Sequence, residues 1–338
     1  MPKGQRANSV VFGFDFQVNA AIVLMLENIK NLTSLRLEGN NEDIELQLDN
    51  GNTILAQAKS VVAASSDFRN VRANLKKSLE TLSLAEKNVS VEKIIFVTNS
   101  INPLNEKNYS SVFIGETRKP FYNLPKSSQN IICGFLKKIK DPLNLDKFQI
   151  HVIPFETDIE EERYKIILNH IDKFIVSLNC GSLRGCGDDL LYIWFDDVFV
   201  NSTKKNAKIV LDKKKIIWPL IVKVTDGYQY EREMAENFEL DEGLFEEVRA
   251  KYGELIKNSC ERYDFITSVL YDFQSFSSQE PITKKCLSFA KQRWKDFVGE
   301  LNLTNENPEI QEKVVQIILY YIVKNRYSID KIKQGVNL

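Results

Sequence analysis

Between Glu38 and Ser60 the chain reads EGNNEDIELQLDNGNTILAQAKS, and its polar residues are spaced as a site for phosphodiester chemistry would space them. Asp43 opens a stretch of strict alternation, with Ile44, Leu46 and Leu48 on one face and Asp43, Glu45 and Gln47 on the other. Further on, the same two-residue period puts Gln57 and Lys59 on one face of the next strand. An acid on one strand beside a Gln-x-Lys on its neighbour is the pattern of a metal-dependent phosphodiesterase. Mg²⁺ is a hard ion that demands oxygen ligands, which a carboxylate supplies. The ion polarises a scissile phosphate and helps ionise an attacking water, while Lys59 offers positive charge to that water and to the developing phosphorane. The plain alternative is that these residues form only the solvated side of a hairpin.

The register of that hairpin follows from matching its faces. Asn50-Gly51 is a turn signal between the two strands. A two-residue turn there sets Ile44 against Gln57 and mixes apolar with polar faces. An odd loop pairs Ile44, Leu46 and Leu48 with the Ile54/Ala56/Ala58 face and places Asp43 opposite Gln57 or Lys59. The sequence therefore predicts a three-residue loop or a bulge, with Asp43 and Lys59 on the same side of the sheet.

Other chemistries are poorly supplied. The 338 residues include only two histidines, His151 and His170, far apart, which argues against zinc sites and histidine-activated nucleophiles. No GxxxxGK[ST] occurs, so the chain carries no phosphate-binding loop of that type. Forty-five basic residues balance 46 acidic ones at a net charge of −1, so any nucleic-acid affinity must come from local patches. Five cysteines, Cys133, Cys180, Cys186, Cys260 and Cys286, form an odd set without close pairs, which fits a reducing compartment. The longest apolar stretch, Val314 to Val323, is shorter than the ~18 residues of a membrane helix. The start, MPKGQRANSV, lacks the apolar core of a signal peptide. A cytoplasmic protein without membrane contact is expected.

The elements that must hold the Glu38–Ser60 segment can be read on either side of it. Phe14, Val18, Ala21, Ile22, Met25, Leu26 and Ile29 fall on one helical face. Short strands are expected at 35–37, 43–48 and 53–60, then a helix over 70–86 with Val71, Leu75, Leu79 and Leu82 inward. Ile94 to Val97 reads as a buried strand, 99–128 as a long irregular excursion, 131–139 as a helix and 148–153 as a strand. Thr157-x-x-Glu160 resembles a capping box opening a helix to Leu178. The glycines around Cys180 to Gly187 mark a break, followed by a helix over 188–200 and a possible strand near Ile209. Beyond that, helices are expected at 213–225, 241–274, 282–300 and 308–325. The fold class is α/β, a small central mixed sheet flanked by helices over 1–205, followed by a mainly α-helical domain over 206–338.

GFDFQ at 13–17 entering an apolar helix, LRLEGNNEDIEL at 35–46 and ILAQAKS at 54–60 together resemble a known family. It is the double-stranded DNA endonuclease domain of bacterial anti-phage effectors, found in CBASS CD-NTase-associated nucleases and in some STAND defence proteins. That domain belongs to the Mrr-like branch of the PD-(D/E)xK superfamily. The motifs cover residues 11 to 62, and the element order agrees to about residue 180. The resemblance implies a restriction-endonuclease-like core, with Asp43 as principal metal ligand, Gln57 in the usual acidic position and Lys59 as catalytic lysine. It implies a further polar group from Gln17 and a secondary acidic contribution from Glu38, ranked above Glu42. Mg²⁺, with Mn²⁺ substituting, is the implied cofactor. The implied substrate is double-stranded DNA, cut with little sequence preference to leave a 5′-phosphate.

Lys76 and Lys77, on the helix after the Gln-x-Lys strand, are candidate DNA contacts. The lysines at 204, 205, 208 and 213–215 read equally as phosphate contacts or as a solvated hinge. Asp188-Asp189 and Asp196-Asp197 read as helix caps and solvent-exposed acids, Trp194, Trp218 and Trp294 as core or interface aromatics, and His151 as a structural histidine. Control of a relaxed nuclease is expected from the helical domain, through homo-oligomerisation or a separately encoded sensor or ATPase partner. Val314 to Val323 is either a docking stripe for it or that domain's own core. The rival classes are a non-catalytic DNA-binding scaffold of a defence complex, and a nuclease acting on RNA or single-stranded DNA.

Overall fold

The computed structural model describes residues 3–156, 158–226, 231–257, 263–301, 303 and 306–338. Thr157 of the expected capping box and Cys260 lie outside the described residues. The chain divides into two compact units: Met1–Ser177 with Gly185–Lys213 and Asn337, and Leu178–Arg184 with Lys214–Val336 and Leu338.

The first unit opens with α1 (Lys3–Asn28). Every residue from Val18 to Leu26 is buried, so this helix is covered on all sides rather than along one stripe. The nitrogen of the buried Asn19 amide donates to the Asp15 carbonyl at 2.9 Å and its carboxylate at 2.8 Å. Asn8–Asn28 is long and apolar enough to cross a membrane by length and composition, so Val314–Val323 is not the chain's longest apolar segment. Its apolar middle is spent inside the unit, against the strands that follow.

Those strands are β1 (Leu32–Leu37), β2 (Ile44–Leu48) and β3 (Thr53–Lys59), an antiparallel meander. Next come α2 (Val71–Ala85) and β4 (Val91–Thr98), which pairs parallel with β3. Leu75, Leu79 and Leu82 of α2 pack against Leu55, Ile94 and Phe96. Burying each such leucine is worth about 2 kcal/mol, and this seals one face of the sheet. The chain continues through β5 (Thr117–Pro120), α3 (Lys126–Leu136), β6 (Phe148–Val152), α4 (Glu160–Ser177), α5 (Gly187–Ser202) and β7 (Leu211–Asp212). The seven strands lie in the order β5-β6-β4-β3-β2-β1-β7.

The sheet is thus one strand larger than expected: β5 carries little sequence signal, while the strand expected near Ile209 lies at Leu211–Asp212. Thr-Arg-Lys-Pro has no apolar alternation, and its proline ends an edge strand, where a missing N–H costs no ladder bond. At the other edge β7 is two residues long and pairs with β1, carrying the first unit past the expected boundary at 205. The buried Arg36 of β1 fixes this return. Its guanidinium donates to the carbonyls of Asn201 (2.5 Å), Lys204 (2.8 Å) and Ile209 (2.9 Å). The lysine-rich segment is therefore partly structural. Its Lys213 is buried and donates to the Lys30 carbonyl at 2.8 Å, so 204–215 is not one open basic patch.

The second unit is helical: α6 (Lys213–Thr225), α7 (Glu231–Phe238), α8 (Glu242–Lys257), α9 (Tyr263–Ser275), α10 (Ile282–Phe297), α11 (Pro308–Lys324) and α12 (Arg326–Val336). Of the helix expected over 241–274, Glu242–Lys257 and Tyr263–Ser275 are helical, and 258–262 lie outside the described residues. Pro308 stands at the first turn of α11, where its missing N–H is harmless, and Asn307 caps the Glu309 N–H at 2.9 Å. Val314 through Val323 are all buried, so this stretch is the unit's own core and not a docking stripe.

Candidate active site

The β2–β3 hairpin has the expected odd loop. Ile44 pairs with Ala56 and Leu46 with Ile54, and the Leu48 N–H donates to the Asn52 carbonyl at 2.9 Å around a three-residue loop. Gly51 closes it at φ +80°, a conformation that favours glycine. This register brings Asp43, just ahead of β2, to Gln57 of β3. Asp43 Oδ2 accepts from the Gln57 side-chain amide, from the Ala58 N–H at 3.2 Å and from Lys59 Nζ at 3.2 Å. Asp43 and Lys59 share a side of the sheet, as the face-matching argument requires.

The approach to Asp43 is held by a second acid. Glu38 turns out of β1 at φ 53°, its N–H donating to the Asp43 carbonyl at 2.7 Å. Buried Glu45 then collects the N–H groups of Asn41 (2.6 Å) and Glu42 (3.1 Å), fixing the turn between the strands. A Cβ at residue 39 would run into the Glu45 carboxylate, which would have to give up its place under the turn. The solvated-hairpin alternative fails on burial. Glu42, Glu45 and Gln57 are only 6%, 8% and 4% exposed.

Burial and crowding of like charge shape the electrostatics. Glu42 is pushed up to about 8, first by burial and then by the charge of Asp43, against opposing contributions from Thr81, the Asp43 backbone and Lys59. Its Oε1 is a buried acceptor with no partner. Glu38 is also raised, by burial and by Asp43, while Lys59 and a hydrogen bond with Gln17 of α1 oppose the rise. Glu38, Glu42 and Asp43 are therefore three acids facing one lysine. Their oxygens, with the amides of Gln17 and Gln57, are the donor set a hard divalent cation takes.

All five residues singled out as catalytic, Asp43, Gln57, Lys59, Gln17 and Glu38, are thus linked through contacts with one another. Glu42, ranked below Glu38, is the more buried of the two. Thr81 of α2 was not foreseen. Its hydroxyl donates to Gln57 Oε1 at 2.5 Å, and the only sequence signal is a polar residue just before Leu82 of the Leu75/Leu79/Leu82 stripe. Lys77 is exposed and, four residues before Thr81, shares its flank of α2. Lys76 turns elsewhere, lining an open groove of about 430 Å³ with Arg72 and Lys138, its Nζ 3.7 Å from Glu80. Asp15 of the GFDFQ segment serves α1 packing, accepting from Arg163 at 3.4 Å and Tyr164 at 3.3 Å on α4.

The two histidines, distant in sequence, meet at Glu116. Glu116 Oε1 lies 2.6 Å from His170 Nε2 and 3.2 Å from His151 Nε2. Glu27, Glu116 and His151 are close enough to hold a metal ion. Arg118 argues against one: its guanidinium bonds Glu27 and lies 2.9 Å from His151 Nδ1. A guanidinium only donates, so Nδ1 accepts and Nε2 carries the proton given to Glu116. The positive charge of this cluster is already supplied. It is a structural network in which His151 is 1% exposed.

No family model, no curated protein and no solved structure matches this chain.

Proposed function

We propose that the first unit is a Mg²⁺-dependent double-stranded DNA endonuclease of the restriction-endonuclease-like type, with little sequence preference. The observation that carries the reading is the convergence of Gln57, the Ala58 N–H and Lys59 on one oxygen of Asp43. The succession α1–β1–β2–β3–α2–β4, with β4 parallel to β3, supports it as the order of the resembling domain. The donor set fits the ion. The orphaned Glu42 Oε1 and the crowding of Glu38 and Glu42 around Asp43, which favours the protonated form of both, would be answered by a divalent charge. Asp43, Gln57 and Glu38 would hold Mg²⁺, or Mn²⁺ in its place. When bound, the ion supplies Lewis-acid polarisation of the scissile phosphate.

The chain's own residues do the rest. Lys59, tethered by Asp43, presents a positive charge where the phosphate becomes more negative, and it is in place before the reaction begins. Gln17 and Gln57 orient the carboxylates. Exposed Lys77 on the Thr81 flank contacts the duplex backbone. We place the protein in the bacterial cytoplasm as an anti-phage effector, held in check by homo-oligomerisation or by a separately encoded sensor or ATPase.

Plasmid cleavage tests the reading, run with Mg²⁺, Mn²⁺ or EDTA across a range of protein concentrations. Wild type converts supercoiled plasmid to nicked and linear forms, EDTA stops it, and Lys59→Ala lowers the rate at least ~100-fold. Cutting that survives Lys59→Ala refutes the site. Salt-sensitive DNA binding without cutting under any condition identifies a scaffold, and preferential loss of RNA or single strands identifies a different nuclease.

A further inference from the structure

The amide of Gln57 is held at both ends, and as found it is turned the wrong way to bind a cation. Its nitrogen faces Asp43 Oδ2, and its oxygen accepts from the Thr81 hydroxyl at 2.5 Å. Reversing the amide alone would set its oxygen against a carboxylate oxygen, which is repulsive. A cation beside Asp43 inverts that preference, because the amide oxygen then becomes a ligand and the nitrogen must turn away. The partner at the far end must then change from donor to acceptor. A hydroxyl does both, since it carries one proton and two lone pairs. The Thr81 proton is also sought by the Ser78 carbonyl at 3.1 Å and by the Glu42 carboxyl. Released by Gln57, it has acceptors waiting.

We infer that Thr81 is a positioning residue that lets Gln57 reverse its amide and turn its oxygen to a divalent cation held by Asp43. The reversal is a half-turn about a soft terminal torsion, within a pocket that already fits both ends of the group. The inference rests on the metal-dependent reading of the site. It adds a residue from α2 that touches neither substrate nor ion and acts only through Gln57. Its signature is cation affinity, and it separates a hydroxyl from an isosteric methyl.

The test is Mn²⁺ binding to the full chain, read from the free-ion electron paramagnetic resonance signal, without DNA. Wild type, Thr81→Ser, Thr81→Val and Thr81→Ala are compared, with Asp43→Asn as the control that abolishes binding. Thr81→Ser is expected within about twofold of wild type, and the Val and Ala variants to bind about tenfold more weakly, as loss of an outer partner of a metal ligand does. In a Gln57→Glu background both ends are oxygens and no reversal is needed. There the Thr81→Val loss shrinks to about twofold. Thr81→Ala covers the case in which Thr81→Val does not fold. Equal affinity of Thr81→Ala and wild type overturns the inference alone, as does a Thr81→Ser loss matching that of Ala. Absence of Mn²⁺ binding by wild type overturns both the inference and the metal-dependent reading.

Discussion

Replacing Glu42 by Gln should stabilise the first unit, increasingly so as pH rises above 4.5. Glu42 is 6% exposed, beside Asp43, with one oxygen unpartnered. Burial first and Asp43 second push it from 4.5 to about 8. Between those values the folded chain holds a proton that the unfolded chain has released. Stability is thus undiminished below pH 4.5 and falls as pH rises toward 8. Each pH unit in that window costs at most ~1.4 kcal/mol, a ceiling of about 5 kcal/mol. Water entry and relaxation around the ionised group reduce this to an expected loss of about 2 kcal/mol. Glu42→Gln keeps the shape and has no proton to lose. In EDTA it should match wild type near pH 4.5 and exceed it by about 2 kcal/mol at pH 9. Urea denaturation of both proteins at the two pH values measures this. The second unit is identical in the pair, so any difference in the curves belongs to the first. Mg²⁺ should narrow the gap at pH 9 by answering the charge that only wild type carries. A gain that is equal at both pH values would mean a packing effect, and a loss at pH 9 would mean a charge the fold uses. Either refutes the argument.

Two further changes probe the supports of the site and of the sheet. Gly39→Ala drives a methyl into Glu45 Oε1 and should cost about 2 kcal/mol, measured by thermal unfolding. Adding Glu45→Ala should recover part of that loss, and strict additivity would show that no clash exists. Glu116→Gln removes the acceptor shared by His151 and His170. Burial acts to raise Glu116, but the bonds from the two histidines outweigh it and hold the carboxyl below its ordinary range. The stability this carboxylate adds is therefore present above pH 4.5 and lost as pH falls below it. The substitution should cost about 2 kcal/mol at pH 7 and progressively less below pH 4.5, and a loss independent of pH would contradict it.

What could be read from the sequence was what a short-range period encodes. The hairpin register was legible because a one-residue slip would turn Ile44, Leu46 and Leu48 away from the core, and only an odd loop avoids that. The same alternation carried Asp43, Gln57 and Lys59 to one side. The edge strand β5 was illegible because it is defined by its neighbour. Thr117–Pro120 is a strand only because β6 lies beside it. The covering of α1 on every side also escaped the one-face pattern, since Ala20, Val23 and Leu24 are buried by elements far along the chain. Thr81 and the Glu116 cluster are likewise products of tertiary approach. Thr81 lies 24 residues from Gln57, and His170 lies 54 from Glu116.

The two polar clusters of the first unit differ in how their charge is answered, and that difference is what favours the Asp43 cluster as the place for a cation. At Glu116 a guanidinium and two imidazoles meet two carboxylates, every ring nitrogen engaged has a partner, and Glu116 is held ionised. Nothing there calls for a further cation. Around Asp43, three acids face Lys59, two of them are pushed toward the neutral form, and one buried oxygen has no donor. Folding tolerates such an imbalance only where the remaining interactions over-determine the geometry, and here they do: the hairpin register, Glu45 under the turn and Gly39 at its closest approach all fix Asp43 independently of its charge. A site that is rigid, acidic and short of positive charge would need no assembly on binding the proposed divalent cation. If the deficit is instead met by protonation alone, Mg²⁺ will leave the pH dependence of wild type and Glu42→Gln unchanged, and the first unit will bind DNA without cutting it.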